Sequence, residues 1–196
     1  PKWTMGSRIS IDSATMMNKA FERIEAHVLF NMPYEKIEMV IHPQSIVHSA
    51  VAYCDGSIIA QMGEPDMRVP LLYGLSSPHR WPAHHEAMHL DLTQLGALDF
   101  SAVEPERYPC LSLANDAAKQ GGSLLTALNS ADEILVQAFI EGKITWMDIP
   151  KKLETILKQH QDACYIQTPT AEEILATDKQ TREQTQKLVS HSALVA

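Results

Sequence analysis

The stretch Asp12-Ser13-Ala14-Thr15-Met16-Met17-Asn18-Lys19-Ala20-Phe21-Glu22 decides how this chain is read. It loads the opening of one predicted helix with hydroxyls, an amide, an ammonium and a carboxylate. A helix N-terminus presents unpaired N–H groups and partial positive charge, which makes it a natural seat for a phosphate. Ser13 and Thr15 stand where capping residues stand, so their hydroxyls either cap the helix or donate to an anion. Asn18 and Glu22 are four residues apart and share a face, with Lys19 about 100° round from Asn18. A carboxylate one turn beyond a phosphate seat is well placed to hold a divalent cation that also touches the ligand. The same pattern equally describes a capped amphipathic surface helix whose Met17, Phe21, Ile24 and Val28 face a core. Periodicity leaves both readings open.

Working outward, residues 1–10 read as a loop: Pro1, Trp3, Met5 and Gly6 give a stiff start, two large apolar groups and a flexible joint. Trp3 there is either a core residue or a lid that folds over a ligand. The helix is predicted over 15–30 and ends at Asn31 and Pro33. The period then becomes that of strands over 37–41, 45–53 and 58–62, and Cys54-Asp55-Gly56-Ser57 reads as a hairpin connection. Helix plus antiparallel sheet makes this first block, residues 1–76, α+β in class.

Prolines at 65, 70, 78, 82 and 105 then break regular structure, and residues 77–106 read as a connector. His79, His84, His85 and His89 crowd it but lack any cysteine or HExxH arrangement, so solvated histidines are the reading, not a metal site. Residues 107–196 are helical. A helix over 108–120 stops at Gly121-Gly122, and Leu124, Leu128, Ala131, Leu135 and Ala138 mark the stripe of a second. Asp148 caps a third with Leu153, Ile156 and Leu157 inward, and Thr170 with Glu173 forms the capping box of a fourth. Short loops join them into a four-helix bundle. Asn129, Asp132 and Glu133 read as a solvated face or an inter-domain contact.

Apolar residues make up 45% of the chain and charged ones 20%, the balance of a soluble globular protein. A net charge of −8 argues against non-specific nucleic-acid binding, yet leaves room for a small phosphorylated ligand at one positive spot. Cys54, Cys110 and Cys164 are odd in number, widely spaced and form no CxxC pattern, so they read as buried thiols of a reducing compartment. No apolar run approaches the roughly 18 residues of a membrane span. The chain starts at Pro1 in what looks like a loop, so a fragment or processed product is expected, and no targeting signal can be judged.

Longer motifs carry a family resemblance. Pro1-Lys2-Trp3-Thr4-Met5-Gly6 followed by Ile9-Ser10-Ile11-Asp12-Ser13-Ala14-Thr15-Met16-Met17-Asn18-Lys19 resembles the 1-deoxy-D-xylulose 5-phosphate reductoisomerases. So do Ile41-His42-Pro43-Gln44-Ser45-Ile46-Val47-His48-Ser49 and Gln61-Met62-Gly63-Glu64-Pro65-Asp66-Met67-Arg68. Arg107-Tyr108-Pro109-Cys110-Leu111 and Thr126-Ala127-Leu128-Asn129 extend the likeness into the helical part. Ala20 and Phe21 depart from the Gly-Leu pair of the family motif, a local packing change.

The resemblance implies an α+β catalytic domain, a connector and a C-terminal four-helix bundle behind an N-terminal NADPH-binding domain, in a homodimer. It implies conversion of 1-deoxy-D-xylulose 5-phosphate to 2-C-methyl-D-erythritol 4-phosphate in non-mevalonate isoprenoid synthesis, with NADPH and Mg²⁺, Mn²⁺ or Co²⁺. Carried over residue by residue, Ser13 would hold the phosphate, and Asn18 and Lys19 the sugar oxygens. Lys19 would add positive charge where oxyanion character builds, and Glu22 would ligate the cation and touch substrate. Trp3 and Met5 match a lid over the substrate, Gly6 and Met67 positions beside NADPH, and Ser45 and His48 the pocket wall. Glu25 is a second-shell or surface acid. A bacterial cytoplasm or a plastid stroma is the implied location. The cofactor domain and the other acidic metal ligands precede this segment in the family, so the chain by itself is expected to bind metal and NADPH poorly and to be inactive. The competing expectation is a non-catalytic assembly module on the same scaffold.

Overall fold

The computed structural model describes residues 6–84 and 89–193. The chain forms two compact units, one from Pro1–Glu38 with Glu104–Ala196 and the other from Met39–Val103. These units cut across the sequence blocks: the first helical segment belongs with the C-terminal bundle, and the strands stand apart with the proline-rich region.

In the first unit the predicted 15–30 helix is present, and a separate helix precedes it. Helix α1 spans Ser7–Ala14 and α2 spans Met17–Phe30. Residues 7–10, expected as loop, are therefore the first turn of α1. Met16 breaks the pair by taking a left-handed conformation (φ 64°), an arrangement with a steric cost of roughly 1 kcal/mol or more for a side chain with Cβ. The Thr15 hydroxyl bridges the break. It donates to the Asp12 carbonyl at 3.2 Å and accepts the Met17 N–H at 3.4 Å. The kink turns Met17 and Ala20 fully inward, whereas Val28, Leu29 and Phe30 stay exposed. Val28, expected in the core, is 65% exposed, and in the second unit Cys54, expected buried, is exposed too.

Helices α4 (Pro109–Gln120), α5 (Ser123–Ile140), α6 (Asp148–Ala163) and α7 (Ala171–Ala193) form the expected bundle. The α5 stripe of Leu124, Leu128, Ala131, Leu135 and Ala138 is buried, as are Leu153, Ile156 and Leu157 of α6. Gly121 ends α4 at φ 69°. Gly122 (φ 59°) is needed by space as well, because a Cβ there would lie 2.4 Å from the Ile166 carbonyl oxygen. That carbonyl accepts the Ser123 N–H at 2.9 Å, and the buried Ser123 hydroxyl accepts the Ile166 N–H at 2.9 Å and stands 2.8 Å from His160 Nε2. Burial lowers the His160 pKa below its ordinary 6.5. The α7 capping box is present: Thr170 N–H donates to Glu173 at 2.7 Å and Glu173 N–H to the Thr170 hydroxyl at 3.2 Å. Asp148, expected to cap α6, instead reaches back to accept the N–H and hydroxyl of Thr145 at 2.8 and 2.7 Å.

In the second unit, β1 (Val40–Ile41) pairs antiparallel with β4 (Ser101–Ala102), and β2 (Val47–Ala52) forms a hairpin with β3 (Ile58–Met62). Helix α3 (Arg68–Ser76) was not anticipated among the prolines. Pro70 sits in its first turn, where no intrahelical acceptor is required, and Asp66 accepts the Arg68 N–H at 2.9 Å.

Candidate functional site

The first turns of α2 bring three predicted residues together. Asn18 Nδ2 donates to Glu22 Oε1 at 2.8 Å, and Lys19 Nζ pairs with Glu22 Oε2. Lys19 and Glu22 remain 45% and 46% exposed, so an ammonium, an amide and a carboxylate converge at a solvent-reachable place. Helix geometry leaves the N–H groups of Asn18 and Lys19 without a carbonyl four residues back in α2, which adds the partial positive charge of a helix start. Ser13 lies elsewhere in the local frame than expected. It is exposed in the last turn of α1 and its carbonyl accepts the Met16 N–H at 3.3 Å, so it caps neither helix. The capping hydroxyl is that of Thr15.

An open cleft of about 610 Å³ runs beside this turn, lined by Gly6, Arg8, Asn18, Phe21, Ile24 and Asn129 among others. Gly6 is exposed and its carbonyl accepts from the Ser10 N–H at 3.2 Å and hydroxyl at 3.1 Å, anchoring the entry to α1. Glu25 is exposed and also lines the cleft. Trp3 and Met5 fall outside the described residues, as does His85. In the second unit His48 is exposed on β2 with Nδ1 3.2 Å from Gln61 Oε1, and Met67 is 65% exposed at the start of α3. Ser45 is half-buried and takes φ 57°, its N–H bonded to the His42 carbonyl at 3.1 Å.

Glu22 and Asn18 are hard oxygen donors, the kind Mg²⁺ and Mn²⁺ prefer. Among the described residues no three His, Cys, Asp or Glu side chains converge as a metal cage, so Glu22 is a single carboxylate donor. Among them, too, no helix is long and apolar enough to cross a membrane.

Sequence reasoning missed a second polar cluster, where α1 meets α5. The Arg8 guanidinium lies 3.3 Å from Asp12, 3.3 Å from Glu133 and 3.8 Å from Asp132. Asp132 was read as part of a solvated face or inter-domain contact; it is fully buried. Burial, then the nearby Asp12 carboxyl, push the Asp132 pKa well above the ordinary carboxylate range, and burial raises Asp12 as well despite Arg8. Glu133 is held low by its bond from Arg182, at 2.8 Å. Arg8 and Asp12 are four apart, a helical ion-pair spacing that was hidden while residues 1–10 read as loop.

Comparison with known proteins identifies the family. Residues 62–184 match the family model for the DXP reductoisomerase C-terminal domain, and residues 1–30 match that for the 1-deoxy-D-xylulose 5-phosphate reductoisomerase C-terminal domain. The chain belongs to the 1-deoxy-D-xylulose 5-phosphate reductoisomerase family. It is 51% identical over 183 residues to the reductoisomerase of Lysinibacillus sphaericus, covering 93% of this chain and 47% of that protein. The reductoisomerase of Geobacillus kaustophilus is 48% identical over 190 residues, 97% of this chain and 49% of its own length. The solved reductoisomerase of Zymomonas mobilis in complex with NADPH superposes with a TM-score of 0.84 at 46% identity, over 93% of this chain and 47% of that one. A crystal structure of DOX-P reductoisomerase in complex with NADPH, fosmidomycin and magnesium gives 0.88 at 43% identity, over 97% and 48%. The chain thus spans about half the length of the reductoisomerases it matches.

Proposed function

We propose that this chain supplies the substrate-gripping half of an NADPH-dependent reductoisomerase that converts 1-deoxy-D-xylulose 5-phosphate to 2-C-methyl-D-erythritol 4-phosphate in non-mevalonate isoprenoid synthesis. The observation that carries the reading is the convergence of Asn18, Lys19 and Glu22 on the exposed opening of α2. Ser13 holds the phosphate. Asn18 and Lys19 bind the sugar oxygens, and the Lys19 ammonium offsets the negative charge that develops on oxygen as the carbon skeleton rearranges. Glu22 is this chain's ligand for Mg²⁺, Mn²⁺ or Co²⁺, which supplies Lewis-acid polarisation of substrate oxygens when bound. We assign Trp3 the role of covering the substrate and excluding water, His48 a substrate-binding role, and Gly6 and Met67 cofactor-binding roles. The block 1–76 is catalytic, 77–106 connects and 107–196 is the supporting bundle, within a homodimer of the bacterial cytoplasm or plastid stroma.

Similar solved structures hold NADPH and magnesium, which supports the cofactor choice, and the single carboxylate that Glu22 offers among the described residues supports a need for further metal ligands. The isolated 196-residue chain is accordingly inactive. The test compares the whole protein carrying this chain with its Lys19→Ala and Glu22→Gln variants, by substrate-dependent NADPH oxidation and by Mn²⁺ binding. The reading expects turnover to fall about 10²–10³-fold in Lys19→Ala and Mn²⁺ affinity to drop in Glu22→Gln. Equal turnover and binding in all three proteins would instead favour an assembly module.

A further inference from the structure

The cluster where α1 meets α5 is short of protons as well as of cations. Two guanidinium groups, Arg8 and Arg182, face four carboxyls: Asp12 and Asp132 around Arg8, Asp178 around Arg182, and Glu133 shared between both. Glu133 and Asp178 are well served, accepting from Arg182 at 2.8 and 2.9 Å, with Ser130 donating to Asp178 at 2.6 Å. Asp132 is not. It is fully buried, its nearest guanidinium nitrogen is 3.8 Å away, and neither of its oxygens nor Asp12 Oδ1 finds a donor if both groups are ionised. Yet both carboxyls crowd the one Arg8 guanidinium, Asp12 at 3.3 Å and Asp132 at 3.8 Å, which makes them close neighbours. Two ionised carboxylates in that position repel and leave buried acceptors unmet; one proton between them turns the repulsion into a hydrogen bond.

We propose that Asp12 and Asp132 share a single proton, carried by Asp132, and that this acid pair pins the α1–α2 kink to helix α5 and so positions Ser13, Asn18 and Lys19. The proton belongs on Asp132 because that group is the drier of the two and the farther from Arg8. The positional consequence runs through the chain: Ser13 follows Asp12 directly, and the Asp12 carbonyl accepts the Thr15 hydroxyl that in turn meets the first N–H of α2. The other groups facing the pair are Arg8 from α1, Glu133 from α5 and the buried Cys110 of α4. The Cys110 thiol is pushed up to about 12, first by burial and then by the two carboxyls, so it stays neutral and cannot compensate their charge. Asp132 is a positioning residue, acting through Asp12. The positional half of the inference rests on the substrate site proposed above; the shared proton does not.

Infrared spectroscopy of the intact protein in D₂O at neutral pH tests the proton directly. A carbonyl band of a protonated carboxyl is expected in the wild type and is lost in Asp132→Asn, whose amide donates to Asp12 in place of the acid. Thermal unfolding at pH 8 should then rank Asp132→Asn at or above wild type, with Asp132→Ala below both. In the whole protein, Asp132→Ala should raise the KM for 1-deoxy-D-xylulose 5-phosphate about tenfold with kcat within about twofold, and Asp132→Asn should restore it. Absence of the band, its persistence in Asp132→Asn, or equal unfolding of the Asn and Ala variants overturns the shared proton. A normal KM in Asp132→Ala overturns only the positioning role. If Asp132→Ala does not fold, the infrared and unfolding behaviour of Asp132→Asn still decides. A wild-type protein that shows the band yet fails to turn over the phosphosugar supports the proton and rejects the substrate site.

Discussion

Helices α2 and α5 lie in one compact unit and are put to opposite uses. Helix α5 buries ten of its 18 residues; α2 buries two of its 14. Several polar groups of α5 are buried and tied to other helices, as Ser123 is to His160 and Ser130 to Asp178. At the opening of α2 the polar groups reach solvent and are tied to each other, Asn18 and Lys19 both reaching Glu22, while Arg23 further on is tied to Asn115. An exposed pair of that kind adds at most a few tenths of a kcal/mol to folding, so its assembly on one turn is not explained by stability. Helix α5 is scaffold. Helix α2 displays polar groups that reach solvent at its opening, which is the pattern of a binding surface held by a rigid support.

The sharpest way to break the contrast is on the α2 side. Lys19→Ala in the whole protein should lower kcat/KM about 10²–10³-fold while its unfolding midpoint stays within experimental error of wild type. A matching loss of stability would mean that the ammonium is structural. The converse substitution is Gly122→Ala at the start of α5. Both the 2.4 Å approach to the Ile166 carbonyl and the positive φ oppose it, so a loss of about 2–4 kcal/mol in urea unfolding is expected. Asp132→Ala tests the joint between the two helices and should cost about 1–3 kcal/mol, since it removes the donor to a buried Asp12.

Two pH effects of opposite sign sharpen the same comparison. The Asp12–Asp132 pair holds a proton when folded that the unfolded chain releases above about the ordinary value of 3.8, so its contribution falls as pH rises from there towards the raised folded value. His160 behaves the other way. Its folded pKa is depressed by burial, so the stability it contributes is complete above 6.5 and is lost as pH falls from 6.5 through the folded value. Melting temperatures followed from pH 4 to 8 should lose their acid-side slope below 6.5 in His160→Gln and their alkaline-side slope in Asp132→Asn. The smallest effect belongs to the α7 cap. Thr170→Ala should lower stability by about 1 kcal/mol in denaturant unfolding without changing activity.

Much of the scaffold could be read along the chain. The α5 stripe, the Gly121 stop, the Thr170–Glu173 box and the 47–62 hairpin depend on residues within about one turn of each other, and local pattern reports such relations well. Helix α3 escaped because five prolines in its neighbourhood suggested breakage, while only the position of Pro70 within the first turn mattered. The site was half legible. The shared face of Asn18 and Glu22 follows from a spacing of four, but the split at Met16 does not, because a left-handed methionine has no local signature and is held there by packing on either side.

By itself the sequence determined the residue types on the α2 opening, the bundle stripes, the turn chemistry and, through its longer motifs, the family. Only the tertiary structure decided that α1 exists as a separate helix, that Ser13 ends it instead of capping α2, and that Asp132 is dry. The reason is one of range. Asp12 and Asp132 stand 120 positions apart, and no periodicity links them. Whether a carboxyl there is solvated or must keep its proton depends on which helix is laid against it, a choice made by the packed core as a whole.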